Sequence, residues 1–244
     1  REAEERLRYL SNYDDLTGLA NRTLFKERLH QAGQRARQSG RSLALLHIDL
    51  DRFKILNDSL GHELADQLLR QMSRRLAQTI PEAETLARLS GDEFAVLLDS
   101  YGSLSSLARL ASRVLSKLRL PIMVGDQELV VSASIGISLL PDNAREISTL
   151  LSQANMAVQH AKHLGGNTFQ FYTDNLQACT LERLQLENQL RKGIEEGQLE
   201  VFYQPKLCLA DDSLHAAAAL VRWRHPELGL VPPGDVIGLA EETG

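Results

Sequence analysis

Cysteine is almost absent from this chain. Cys179 and Cys208 are the only two in 244 residues; they lie far apart and form no metal or redox motif, the usage expected of a reducing cytoplasm. An excess of positive charge is missing as well. Lys and Arg number 27 against 32 Asp and Glu, a net charge of −5, which argues against binding a polyanion such as DNA. No apolar run approaches the roughly 18 residues of a membrane span, and no signal peptide precedes the first motif. The expected location is therefore cytoplasmic, with no membrane segment in the chain. A starting methionine is lacking too: the chain opens on Arg1 and is expected to be cut from something longer. The 43% hydrophobic content is ample for a real core, and the length allows one or two domains.

What the chain does have is carboxylates where strands meet turns. Leu43 to Ile48 reads as an apolar strand with Asp49 and Asp51 at its end. Side chains alternate along a strand, so these two aspartates share one face while Ile48 and Leu50 point the other way. Farther on, Thr85–Leu89 and Phe94–Leu98 flank a turn that holds Gly91, Asp92 and Glu93. If the first strand pairs beside that hairpin, Asp49 and Asp92 converge, and they would repel unless a cation sat between them. Carboxylate oxygens suit magnesium, which takes one or two carboxylates and draws much of its remaining coordination from water and substrate phosphates. The backbone carbonyl of Leu50 is a further candidate oxygen. Alone, Asp-x-Asp more often marks a solvated strand end; the second acidic segment turns the reading towards a divalent-metal site acting on phosphate.

Periodicity supplies a scaffold for these turns. Asn21 to Gln38 reads as a helix closed by Ser39-Gly40, and Ala65, Leu68, Leu69, Met72, Leu76 and Ile80 recur at helical spacing until Pro81 stops them. Ser103 to Leu118 repeats that pattern. Glu128 to Ser138 reads as one strand, with Gly136 marking a bulge or a close approach. Ile147 to Leu164 reads as a helix ending at Gly165-Gly166, and Thr168 to Tyr172 as a last strand. Alternating helices and strands belong to an α/β sandwich. Glu2 to Leu10 reads either as the end of a helix arriving from upstream or as a frayed terminal helix.

Four motifs, Tyr13-Asp-Asp-Leu-Thr-Gly-Leu-Ala-Asn-Arg22, the Asp49 to His62 segment, Ser90-Gly-Asp-Glu-Phe94 and Ala161-Lys-His-Leu-Gly-Gly-Asn167, follow in the order and at roughly the separations of the GGDEF diguanylate cyclases, a family the chain resembles. The resemblance implies a nucleotide-cyclase-like, palm-like fold, a central mostly antiparallel sheet flanked by helices. It also implies condensation of two GTP molecules into cyclic di-GMP with loss of two pyrophosphates, on magnesium or manganese, by a homodimer whose sites face each other, with a sensor domain upstream.

Carried over residue by residue, the resemblance makes Asp49, the Leu50 carbonyl and Asp92 the metal ligands. Glu93 becomes the residue that helps the attacking 3′-hydroxyl lose its proton or holds a second metal; the competing explanation is a turn carboxylate that merely solvates the hairpin. Asn57 and Asp66 fall where the family reads guanine, and a carboxylate accepting paired N–H groups suits GTP over ATP. Asp66 also lies early in a helix, where an acid is stabilised whatever its function. The backbone N–H groups of Phe53 and Lys54 and the ammonium of Lys162 are expected at the phosphates. Gly91 is expected to let the backbone lie against the nucleotide.

Three departures stand out. Ser90 replaces the first glycine of the signature, and serine costs more than glycine wherever φ is positive. Gly166 stands where the family usually has arginine, removing a phosphate contact worth roughly 1.5 to 3 kcal/mol. Pro81-Glu-Ala-Glu84 replaces the Arg-x-x-Asp through which many members bind their product as an inhibitor.

Residues 174–197 read as a linker helix after a GGDEF domain over 13–173, with 1–12 the end of a signalling helix. Leu199 to Lys206, Leu220-Val-Arg-Trp-Arg-His-Pro226 and Val231 to Gly244 are similar to the beginning of an EAL domain, a cyclic di-GMP phosphodiesterase of TIM-barrel type, truncated here over 198–244. Such a barrel typically needs about 250 residues, and the metal-binding Glu of the Glu-Ala-Leu signature is Ala218. Gln204 and Arg222 match substrate-contacting positions of complete EAL domains. Phosphodiesterase activity is not expected of this chain.

Overall fold

The computed structural model describes residues 11–144, 146–208, 214–232, 234, 236–237 and 240. The expected signalling helix at Glu2 to Leu10 lies outside them. Contacts divide the chain into two compact units, Arg1–Leu176 and Gln177–Gly244.

In the first unit the elements run α1 (Arg22–Ser39), β1 (Leu43–Leu50), α2 (Phe53–Leu60), α3 (His62–Thr79), β2 (Thr85–Ser90), β3 (Glu93–Asp99), α4 (Leu104–Leu118), β4 (Ile122–Val124), β5 (Gln127–Leu129), β6 (Ala133–Leu140), α5 (Ile147–His163) and β7 (Phe169–Phe171). Five strands form the main sheet in the order β2-β3-β1-β6-β7. Every pairing in it is antiparallel except β6 with β7, so the expected mostly antiparallel α/β sheet is found.

β1 is buried along its whole length because helices cover both faces. Ala44, Leu46, Ile48 and Leu50 share a core with Leu68, Leu69, Met72 and Leu76 of α3 and with Leu107, Val114 and Leu118 of α4. Leu43 and Leu45 join Phe25, Leu29 and Ala32 of α1 and Leu150 and Ala154 of α5 on the other face. A strand buried on both sides shows a continuous apolar run instead of alternation. Two of the helices begin on side-chain caps. Asn21 accepts a hydrogen bond from the Leu24 N–H at the start of α1, and Ser103 and Ser106 form a reciprocal capping box on α4.

Two expectations need correction. The single strand expected from Glu128 to Ser138 is two: β5 closes a small hairpin with β4, and β6 starts afresh at Ala133. Gly125-Asp126 makes the two-residue turn between β4 and β5, with Gly125 at φ +59°, a conformation that favours glycine. Residues 53–60, assigned no helix from periodicity, form α2, which buries none of its residues; without a core-facing stripe, periodicity carries no signal.

Gly136 marks a close approach, as expected. A Cβ at that position would lie 2.0 Å from the Ala154 carbonyl oxygen and 2.5 Å from the Val158 nitrogen, both backbone of α5. Gly136→Ala is therefore expected to cost about 2 kcal/mol by forcing α5 off the sheet, read as a lower urea midpoint. Unchanged stability would mean that helix and strand are not in contact there.

The second unit has its own small core. Part of α6 (Asp174–Glu195) accompanies an antiparallel sheet of β8 (Leu199–Leu207), β9 (Leu214–His225) and β10 (Gly229–Val231). Trp223 is fully buried with Leu190, Val231 and Val236, and its Nε1 donates to Gln198 Oε1 at 3.1 Å. His225 Nδ1 accepts from the Glu227 and Leu228 N–H groups. Its proton is thus on Nε2, 3.0 Å from Gln189 Oε1. The Trp-Arg-His-Pro stretch is in this way the clasp of the unit. Ala218 lies on β9 opposite Gln204. Among the described residues no helix is long and apolar enough to cross a membrane.

Candidate active site

Antiparallel register places Asp49 of β1 opposite Glu93 of β3 on one side and Ser134 of β6 on the other. The Leu50 N–H donates to the Asp92 carbonyl across the end of this pair at 3.4 Å. The strand and the hairpin are therefore neighbours, the condition for Asp49 and Asp92 to converge. Lys162, reaching in from the last turn of α5, puts Nζ 2.7 Å from Asp49 Oδ1.

The electrostatics follow from that crowding. Burial pushes the Asp49 carboxyl up to about 6, against the pull of Lys162 and with Asp92 and Glu93 adding to the rise. Asp92 is also raised, by burial first and by Glu93 as well. The negative charges of Asp49, Asp92 and Glu93 repel one another in a half-buried place, offset in part by Lys162 and, at Asp92, by Arg88. Among the described residues no three His, Cys, Asp or Glu side chains gather as a ready cage for an ion. Asp49 and Asp92 offer two carboxylates, the sparse protein share that a magnesium-like cation accepts. These residues fit a hard divalent cation.

Asp51 has a different task. Its carboxylate accepts from Ser132 Oγ at 2.6 Å, Ser134 Oγ at 2.7 Å and the Asn167 N–H at 2.9 Å, so it pins the start of β6 to the turn after α5. That turn contains Gly166 at φ +72°, where a Cβ would come within 3.0 Å of Asp51 Oδ2. The missing arginine and the anchored aspartate belong to one local arrangement.

The first sequence motif is explained by the hairpin it braces. Asp14 accepts from Thr17 N–H and Oγ1 and from Arg88 Nη1 at 3.1 Å, while Arg88 Nε donates to the Gly91 carbonyl at 2.8 Å. Burial works to raise the Asp14 carboxyl, but these hydrogen bonds and the guanidinium outweigh it and hold the carboxyl below its ordinary value. Neither Asp14 nor Arg88 stands out in the sequence as a site residue. Gly91 itself has φ +43°, and a Cβ at this position would meet nothing within 4 Å, so conformation, not a close protein contact, requires glycine there. Ser90 is not among the described non-glycine residues with positive φ and carries no backbone penalty. Its Oγ donates to Glu93 Oε2 at 2.5 Å.

Phe53 and Lys54 open α2. No side chain caps that helix, and first-turn N–H groups have no partner within their own helix, which suits an anion. Asn57 on α2 and Asp66 on α3 are half-buried. His47 was missed, although its place two residues before Asp49 puts it on the same strand face. It is 3% exposed, its Nε2 lies 4.0 Å from Glu93 Oε1, and burial pulls the imidazole down to about 4 despite Glu93.

The sequence model of the family described as "Diguanylate cyclase, GGDEF domain" matches residues 11–168. The chain belongs to the GGDEF family. A model of the EAL domain matches residues 187–244. The cyclic di-GMP phosphodiesterase NbdA of Pseudomonas aeruginosa is 42% identical over 242 residues, covering 99% of this chain and 31% of NbdA. MucR of the same organism, a bifunctional diguanylate cyclase/cyclic di-GMP phosphodiesterase, is 38% identical over 242 residues, 99% of this chain and 35% of MucR. The chain thus spans about a third of the length of these relatives. The solved GGDEF domain of TpbB (YfiN) from P. aeruginosa superposes with a TM-score of 0.67 at 36% identity, over 69% of this chain and 99% of that one. The first unit has the GGDEF fold that the motifs imply.

Proposed function

We propose that the GGDEF unit is a diguanylate cyclase that joins two GTP molecules into cyclic di-GMP with release of two pyrophosphates. One observation supports this reading: Lys162 of α5 lies 2.7 Å from Asp49 of β1, and the Asp49 carboxyl feels the charges of Lys162 and of Asp92 and Glu93 on the β2–β3 hairpin. Asp49, the Leu50 carbonyl and Asp92 would hold a magnesium or manganese ion, which supplies Lewis-acid activation of a hydroxyl and charge neutralisation for departing pyrophosphate. Asn57 and Asp66 read guanine. The first-turn N–H groups of α2 at Phe53 and Lys54 hold phosphate, and Lys162 transfers its ammonium from Asp49 to the phosphates. Gly91 keeps the hairpin in its left-handed turn, and Glu93 accepts the proton of the attacking 3′-hydroxyl. Each copy presents its hydroxyl to the α-phosphate held by a second copy, so the active species is a homodimer, controlled in the longer protein by an upstream sensor. Product feedback through the family's inhibitory motif is absent: Pro81 supplies no guanidinium, and Glu84 is ion-paired with Arg35 of α1.

A second reading has its own support. Gly166 and Ala218, with a relative named as a phosphodiesterase, favour a non-catalytic GTP-binding module that controls an attached EAL domain. Incubating the purified chain with GTP and magnesium and separating the nucleotides by chromatography divides the two. Cyclic di-GMP and pyrophosphate are expected; GTP binding by a verified dimer without product would give the case to the second reading.

A further inference from the structure

Glu93 has a polar neighbour at each oxygen, and neither neighbour has a role so far. Ser90 Oγ donates to Oε2 at 2.5 Å, and His47 Nε2 lies 4.0 Å from Oε1. Because the Ser90 backbone is not left-handed, what serine adds at this first signature position is its hydroxyl. His47 is the costlier residue to keep. Both ring nitrogens are buried with no protein group within hydrogen-bond distance, and buried polar groups are rarely kept without a partner. The sheet leaves room for the ring: its cross-strand neighbours are Ala95 and Gly136. The imidazole sits one step back from the Asp49–Glu93 pair on the same face, and at 4.0 Å Nε2 would need to approach Oε1 by about 1 Å to donate to it.

We propose that Ser90 and His47 are positioning residues that together set the orientation of the Glu93 carboxylate. The consequence for turnover rests on the cyclase reading; the clamp itself concerns three side chains and is open to a test that needs no turnover. A carboxylate with a donor on each oxygen has one preferred orientation, whereas a glutamate at a hairpin tip, held on one side or neither, samples several rotamers.

Two measurements on the whole chain decide it. In protein carrying nitrogen-labelled histidine, the His47 ring signals, assigned through their contacts to Ala95 and Gly136, are expected to shift in Glu93→Gln and to stay in place in Asp66→Ala. Signals indifferent to Glu93→Gln overturn the His47 half of the proposal. In turnover, Ser90→Ala is expected to lower kcat about tenfold, the scale of one hydrogen bond, with KM for GTP changed less than about twofold. Ser90→Thr is expected to restore most of the loss. In a Glu93→Gln background, Ser90→Ala is expected to have no further effect, because it acts through that carboxylate. An equal loss in both backgrounds, or a loss carried by KM, overturns the Ser90 half. If the wild type forms no cyclic di-GMP, the cyclase reading fails and the histidine signals alone judge the clamp. Ser90 is exposed at the end of β2, so its variants test the proposal even where a core change at His47 prevents folding.

Discussion

Replacing Asp49 by asparagine is expected to end turnover while making the metal-free protein more stable at pH 7.5. The loss of activity follows from removing a ligand of the cation: several kcal/mol of transition-state stabilisation correspond to roughly a thousandfold in rate. The gain in stability follows from the buried charge. The folded-state value of Asp49 is raised from 3.8 to about 6, so the folded protein holds this proton more tightly than the unfolded chain. Its contribution is fully present below pH 4 and is lost as the pH rises through 6. At pH 7.5 the wild type therefore bears the cost of an ionised, crowded carboxylate, which asparagine removes. Lys162, partly exposed, keeps water when it loses its partner. The expected advantage of Asp49→Asn is about 1 to 2 kcal/mol at pH 7.5, disappearing by pH 4. Magnesium is expected to raise the melting temperature of the wild type and leave the variant unchanged. A variant less stable than wild type at pH 7.5 would remove the charge argument, and one equally stabilised by magnesium would remove the ligand assignment.

Asp66→Ala should weaken GTP binding by about a hundredfold, the value of two hydrogen bonds to a charged acceptor, and erase the preference for GTP over ATP. Asn57→Ala should cost about tenfold. Both can be measured by titration calorimetry with a non-hydrolysable GTP analogue and magnesium. Asp66 is the fifth residue of α3, which begins at His62, so a purely helical role has a different signature. Loss of a favourable charge near the positive end of a helix lowers stability by about 0.3 to 1 kcal/mol and leaves affinity untouched. That outcome would return Asp66 to the scaffold and leave guanine recognition to other groups.

These two tests separate what crowding imposes on Asp49 from what hydrogen-bond chemistry asks of Asp66, and the sequence reveals the two unequally. The acidic strand end and the acidic hairpin are legible because apolar runs stop abruptly at Asp49 and at Gly91-Asp-Glu93, and their order with the other motifs is enough to identify the family. Helices α1, α3, α4 and α5 are legible because each buries one stripe. Helix α2 is not, since it buries nothing, and the break between β5 and β6 is hidden in a run of apolar residues, Leu129 to Val131, that continues past the end of β5.

The amino-acid order by itself determined which residues are acidic at strand ends, where the amphipathic helices lie and which family the first unit joins, since these depend on local spacing and residue type. Tertiary structure alone decided that Arg88 links Asp14 to the hairpin, that Asp51 is committed to a turn, and that His47 and Ser90 flank Glu93. Those relations join residues up to 116 positions apart, as between Asp51 and Asn167, and arise only when the sheet sets its register and the helices exclude water from one end of β1.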